Sequence, residues 1–169
     1  MDITRRHLIA LTTATAAAGA LGVGGVGFRW WNQPAEASYG LLSVEEGAIV
    51  RAIAGAAYPR TEAIPLDGSE AGLDRYFDAM RGHVPPITAK LLKFLLHGLD
   101  GGTVLTHGAT VTSLSRQDQD AVLTSWIHHD LSDLRNAAQS LVLLLGMGWT
   151  IHPKVAPYMQ QFHSCGYGV

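Results

Sequence analysis

Histidine and cysteine are two residue types in this 169-residue chain whose side chains can bind a metal ion, and cysteine can also act as a nucleophile. His128 and His129 are adjacent, so on a helix they point about 100° apart and do not readily share one metal ion. His163 and Cys165 are close in sequence, but near neighbours rarely face each other as nucleophile and base, and no third residue that would orient the base is evident. With one cysteine, the chain has neither paired Cys-x-x-Cys zinc motifs nor the Cys-x-x-Cys-His motif of c-type haem.

These observations predict no catalytic residue, no cofactor site and no metal site on this chain, and thus a protein that is not itself an enzyme. A histidine-ligated metal or haem electron-transfer protein stays open as an alternative. The histidines that could then serve as ligands are His97, His107, His128, His129, His152 and His163.

The elements that would position such groups are predicted to be helical. Ser43-Val44-Glu45-Glu46 has the spacing of a capping box, in which the serine hydroxyl and the glutamate carboxylate each bind the other residue's backbone N–H. The helix that it opens ends at Tyr58-Pro59. Alternating segments bounded by turns are missing, so no strand is predicted. We expect an all-α protein, a compact bundle of about five helices.

Four more helices are predicted from apolar periodicity and from start and stop signals. They run over residues 70–80, 85–99, 114–127 and about 132–147, and residues 61–69 and 101–113 are expected to be loops. The helix over 85–99 should bury the side that carries Ile87, Leu91, Leu92, Leu95 and Leu99. The last helix contains Leu141-Val142-Leu143-Leu144-Leu145, which is apolar nearly all round and therefore packs in the protein's own core or against another protein.

The amino terminus has the order of parts found in a twin-arginine export signal. Arg5 and Arg6 precede an uncharged run over residues 8–28, and Ala35-Glu36-Ala37 is a small-x-small cleavage site with Ser38 as the first residue after it. Residues 1–37 are thus expected to form the signal segment, and residues 38–169 a single helical domain with a C-terminal tail. The alternative is that the uncharged run is retained as a membrane helix, since it is long enough to span a bilayer.

The signal implies that the twin-arginine translocase carries the protein to the periplasm, where it is free or associated with the inner membrane. A formal net charge of −2 gives no reason to expect nucleic acid as a partner. In that oxidising compartment, the single cysteine cannot form a disulfide within the chain.

Several short motifs together resemble one family. They are the twin-arginine signal, the capped helix from Leu42-Ser43-Val44-Glu45-Glu46 to Ala57-Tyr58-Pro59, the helix start Leu114-Ser115-Arg116-Gln117-Asp118 and the tail Gly166-Tyr167-Gly168. In this combination the chain resembles the gluconate 2-dehydrogenase subunit 3 family, from about Leu41 to the end. The segments 101–113 and Gly146-Met147-Gly148-Trp149 do not match the family pattern.

The resemblance implies a small helical accessory subunit of a flavin-dependent dehydrogenase of the glucose-methanol-choline type. In such complexes the catalytic subunit holds FAD and oxidises a sugar or another alcohol, and a c-type cytochrome with haem c commonly accepts the electrons. The catalytic subunit often lacks a signal and is exported together with the small subunit. The alternatives are a free-standing exported helical protein and a membrane-tethered scaffold.

Two segments are expected to meet such a partner. One is the apolar helix with Leu141, Leu144 and Leu145, for which a place in the chain's own core is the alternative. The other is the tail with Cys165 and Tyr167. A lone cysteine in an oxidising compartment is buried and inert, exposed and reactive, or paired with another chain, and for Cys165 we expect a disulfide to the catalytic partner.

Overall fold

The computed structural model describes residues 33–162, with the side chain of Phe162 left out, and over this range the chain is α-helical. Its elements are α1 (Val44–Ala57), α2 (Leu73–His83), α3 (Pro86–His107), a 3-10 turn (Val111–Ser113), α4 (Arg116–Ile127), α5 (Ser132–Thr150) and α6 (Ala156–Phe162). No β-strand occurs in residues 33–162, which confirms the predicted all-α class. The compact unit that contains these helices begins at Ala35. Within the described range, no helix is both long and apolar enough to cross a bilayer.

Helix α1 lies at the centre of the bundle and packs against α2, α3, α4, α5 and the 3-10 turn. It begins with the predicted capping box: the Ser43 hydroxyl accepts the Glu46 N–H, and the Glu46 carboxylate accepts the Ser43 N–H. Small residues allow neighbours to come close. At Gly55, for example, an added Cβ would lie 1.8 Å from the Arg116 guanidinium. The helix is therefore buried on nearly every side rather than on one face.

The core forms where the other helices close around α1. Phe77, Leu96 and Leu145 reach it from α2, α3 and α5, and each of these side chains is fully buried. From α4, Val122, Leu123 and Trp126 are buried, and the Ser115 hydroxyl caps that helix by accepting the Asp118 N–H. The start predicted at Ser132 is also observed.

The loop predicted over residues 101–113 is wrong in its first half, because residues 101–107 continue α3. Thr103 is fully buried there, and its hydroxyl donates to the Leu99 carbonyl. Helix α3 ends only at Gly108, which has a left-handed φ of 70° and donates its N–H to the Val104 carbonyl. Burial in the bundle thus outweighs the low helix propensity of Gly101 and Gly102, which costs about 1 kcal/mol for each glycine.

Other boundaries and faces also differ from the expectation. Helix α2 begins at Leu73 instead of residue 70, because Gly72 adopts a left-handed φ of 67° directly before it. Ile87 and Leu91, which were predicted on the buried side of α3, are 66% and 60% exposed. Helix α6 was not predicted and adds a sixth helix to the described part of the chain.

A buried ionic cluster around Glu46 joins α1, α2 and α3. The Glu46 side chain has no exposed surface; its Oε1 lies 3.1 Å from His97 Nε2 and 3.3 Å from Lys93 Nζ, both on α3. Its Oε2 accepts the Ser43 N–H at 2.9 Å and lies 3.6 Å from a terminal nitrogen of Arg81 on α2. One carboxylate therefore balances cations from two other helices inside the bundle.

The cluster changes the acidity of Glu46. Burial raises the pKa of its carboxyl group, but the hydrogen bonds from His97 and Ser43 and the charges of Lys93 and Arg81 lower it to about 2. The ionised form is therefore favoured by folding. This stabilisation is fully present above the ordinary pKa of 4.5 and is lost as the pH falls through about 2.

We expect Glu46→Gln to lower the free energy of unfolding at pH 7 by about 3 kcal/mol, because Arg81 and Lys93 then stay buried without this counter-charge. Urea denaturation measures the effect. Glu45→Gln, at the exposed neighbouring position, is the matched control and should change stability by about 0.5 kcal/mol at most. Between about pH 4.5 and 2, the native protein should lose more stability than the Glu46→Gln variant does. An equal, small effect of the two substitutions would contradict this account of the cluster.

Candidate functional site

The predicted signal residues lie partly within the described range. Arg5 and Arg6 lie outside it, as do Cys165 and Tyr167 of the tail. Ala35, Ala37 and Ser38 at the predicted cleavage site are all exposed. A protease could therefore approach this junction from solvent.

The chain is fastened to α2 directly after that junction. Asp78 accepts the N–H groups of Gly40, Leu41 and Leu42 at 2.7 to 2.8 Å. The Tyr39 hydroxyl donates to Asp74, which also pairs with Arg51 at 2.6 Å. Anchoring by α2 thus begins one residue after Ser38, the predicted first residue of the cleaved chain.

The three leucines predicted at a partner interface have different environments. Leu141 and Leu145 are 1% and 0% exposed and belong to the chain's own core, whereas Leu144 is half-buried. Leu143, which points away from that core, is 71% exposed. The exposed apolar surface of α5 therefore includes Leu143 and excludes Leu141 and Leu145.

An apolar groove lies beside Leu143, between α5, α6 and the end of α1. We call it the α5–α6 groove; its volume is about 610 Å³. Met147 is 47% exposed, and Ile151, 67% exposed, follows one turn later. The lining residues are Tyr58, Ile127, His128, Gln139, Val142, Leu143, Gly146, Met147, Trp149, Thr150 and Met159.

Tyr58 lines the α5–α6 groove and contacts two residues of α5. Its ring stacks on Trp149, with the ring centroids 5.4 Å apart, and its hydroxyl donates to the Val142 carbonyl at 2.6 Å. Burial raises the pKa of this hydroxyl, so it stays protonated and able to donate. Gly146 makes the contact possible, because a Cβ there would lie 2.6 Å from the Tyr58 hydroxyl oxygen.

A second apolar surface lies on α3. We call it the α3 face: Ile87, Leu91, Phe94, Gly98 and Leu105. Phe94 and Leu105 are 69% and 87% exposed. Three residues of this face, Leu91, Phe94 and Gly98, also line a groove of about 450 Å³ between α3 and α5. Leu134 and Ala137 line it from the α5 side.

The histidines of the described chain have separate local contacts. His97 binds Glu46, His107 binds Thr106, and the Nδ1 atoms of His129 and His152 accept backbone N–H groups from Leu131 and Lys154. His128 ends α4 and lines the α5–α6 groove, and His163 lies outside the described residues. Over residues 33–162, no three His, Cys, Asp or Glu side chains converge in a way that could hold a metal ion.

Comparisons with protein-family models, with curated proteins and with solved structures find no match to this chain.

Sequence reasoning missed both apolar surfaces, although signals for them were present. In α5, Gly146 and Gly148 mark the places where Tyr58 and Tyr76 approach the helix, and glycine inside a helix often has such a packing reason. In α3, the segment around Phe94 is apolar on more than one side, so hydropathy alone did not show which side faces inward.

We expect the effect of Gly146→Ala on stability to depend on Tyr58. In the native protein the added methyl group collides with the tyrosine hydroxyl, so unfolding should become easier by about 1 to 2 kcal/mol. In a Tyr58→Phe background the colliding atom is gone, and the same substitution should stabilise α5 by about 0.5 to 1 kcal/mol through helix propensity.

A double-mutant cycle measured by urea denaturation gives this coupling directly. Gly102→Ala is the control, since nothing lies within 4 Å of a Cβ at that helical position. Additive effects of the two substitutions would show that the Tyr58 hydroxyl does not contact α5 at Gly146.

Proposed function

We propose that this protein is a non-catalytic accessory subunit of a periplasmic or membrane-associated FAD-dependent dehydrogenase that oxidises a sugar or another alcohol. In this proposal the catalytic subunit carries FAD, a c-type cytochrome accepts the electrons, and this chain escorts and stabilises the catalytic subunit during export in the folded state. The proposal joins the twin-arginine motif and the family resemblance to the surface of the helical body.

The observation that carries the proposal is the α5–α6 groove, which is lined by the exposed Leu143 and Met147, together with the exposed Ile151 that follows them in the sequence. A contiguous apolar surface of this kind is rare on a protein that acts alone and typically binds another protein. These residues are spaced four apart in the sequence, so Leu143 and Met147 lie on one side of α5, and Ile151 comes directly after the end of that helix.

The tail supports the same location for the catalytic subunit. Helix α6 contributes Met159 to the groove, and Cys165 follows Phe162, the last residue of α6, by three residues in the sequence. A partner seated on the groove would therefore contact the helix that directly precedes the tail in the sequence. We therefore keep Cys165 as the proposed site of an intersubunit disulfide, with Tyr167 beside it in the interface.

We expect Leu143→Asp to release the catalytic subunit, because a carboxylate would be buried in an apolar interface without a partner. The tagged chain is purified from its native host, and the co-purifying flavoprotein is measured by its visible flavin absorption. Release should be nearly complete if the groove is the main contact of an obligate interface, which buries on the order of 2,000 Å².

Phe94→Asp is the matched control, because Phe94 is an apolar residue on the α3 face that is about as exposed as Leu143. This variant should keep the flavoprotein. Circular dichroism is used to check that both variants stay helical. A folded Leu143→Asp variant that holds the flavoprotein as tightly as the native chain does would contradict the proposed role of the groove.

Replacing Arg5 and Arg6 together by Lys should leave both this chain and its catalytic subunit in the cytoplasm, because the twin-arginine translocase reads the arginine pair. Cell fractionation followed by immunoblotting of both proteins measures the outcome. Normal export of the catalytic subunit in this double variant would contradict the escort role. A free-standing exported protein or a membrane-tethered scaffold would be retained in the cytoplasm without any flavoprotein.

A further inference from the structure

The α3 face is an exposed apolar surface that the proposed seat of the catalytic subunit does not use. Helix α3 has 22 residues, and Ile87, Leu91, Phe94 and Leu105 on it are all at least 60% exposed. Lys93 and Asp100 are buried, so Lys90 is the one Lys, Arg, Asp or Glu among the exposed residues of α3. A solvated helix face is normally rich in charge, and this one is not.

The spacing on this face is that of a helix-pairing seam. Steps of four and three residues alternate along α3 from Ile87 to Leu105, as in the a and d positions of a coiled coil. The six positions are the five residues of the α3 face and the half-buried Gly101, in the order Ile87, Leu91, Phe94, Gly98, Gly101 and Leu105. Gly98 lies in open space, with nothing within 4 Å of a Cβ built there, so a second helix could come close.

Large and small residues follow one another along the seam in such an order that two antiparallel copies of α3 are complementary. Suppose that two copies of α3 pack antiparallel about a two-fold axis at the level of Leu96. A residue a given number of positions before Leu96 in one copy then lies opposite the residue the same number of positions after Leu96 in the other copy. Phe94 then meets Gly98, and Leu91 meets Gly101. Ile87 meets Leu105 at each end. We infer that the α3 face binds the α3 face of a second copy of this chain in this antiparallel register.

Charge favours the same arrangement. In a parallel pair, the two Lys90 ammonium groups would lie side by side and repel each other. In the antiparallel pair they are separated along the helix by about 18 Å, at 1.5 Å per residue. That distance exceeds the screening length of about 8 Å at physiological salt, so the repulsion is small.

The area suffices for a specific but modest interface. Helix α3 is about 33 Å long, and two such apolar faces bury on the order of 1,000 Å² in total, which is near the lower limit for a specific interface. The interface is isologous, because the same residues contribute from both copies. The dimer should therefore dissociate at micromolar concentrations, and the inference is independent of the proposed catalytic partner.

Sedimentation velocity of the complete chain over a range of concentrations tests the dimer. The expected result is a monomer–dimer equilibrium that Phe94→Asp weakens at least tenfold. Gly98→Leu should weaken it similarly, because the added side chain occupies the place of the other copy's Phe94. Leu143→Asp introduces the same charge on the α5–α6 groove and should leave the dimer unchanged.

An exchange of residues tests the register. Phe94→Ala and Gly98→Phe should each weaken the dimer, whereas the double variant restores a large residue opposite a small one and should bring the dissociation constant back to within about threefold of the native value. A double variant as weak as the single variants would overturn the antiparallel register.

Two outcomes would overturn the proposed dimer. A native chain that stays monomeric at every concentration would overturn the dimer. So would a Phe94→Asp variant that loses the flavoprotein while its self-association is unchanged, since the face would then belong to the catalytic subunit. If Leu143→Asp loses the flavoprotein but still dimerises, the α5–α6 groove binds the catalytic subunit and the α3 face binds the second copy. The two proposals can therefore fail independently of each other.

Discussion

One buried carboxylate, that of Glu46, determines how the central helices face one another. It draws Lys93 and His97 of α3 and Arg81 of α2 into the interior, where each would be costly without it. Lys93 and His97 are one turn apart, so fixing both inward turns the next positions on the helix, Phe94 and Gly98, toward solvent. The ionic contact in the core and the buried Leu92, Leu96 and Leu99 thus together turn the apolar face of α3 toward solvent.

Sequence patterns predicted the fold class and most helix starts, because caps such as Ser43 and Ser115 act locally and can be read from a few residues. They failed where contacts between residues far apart in sequence determine the length or the orientation of a helix. The inward side of α3 depends on Glu46, which is far away in sequence, and the helical state of residues 101–107 depends on the burial of Thr103. The α5–α6 groove was missed as well, because it forms where Tyr58 packs against α5, and the only sequence signal of that contact is the glycine at position 146.

Helix α5 serves the core and the surface with two different sets of side chains. Leu141, Leu145 and Trp149 are buried in the bundle, while Leu143, Met147 and Ile151 form an apolar row on the outside. This division explains why the sequence of α5 is apolar nearly all round. It also leaves the α5–α6 groove exposed, which is the surface proposed for the catalytic subunit, whereas the surface proposed for a second copy lies on α3.

The composition of the native complex tests the central claim most directly. The tagged chain is purified under non-denaturing conditions from its own host, and native mass spectrometry is combined with a visible absorption spectrum of the same sample. The account predicts a heteromer in which a second, larger chain holds FAD in stoichiometric amount. A colourless, monodisperse species that contains this chain alone would contradict it.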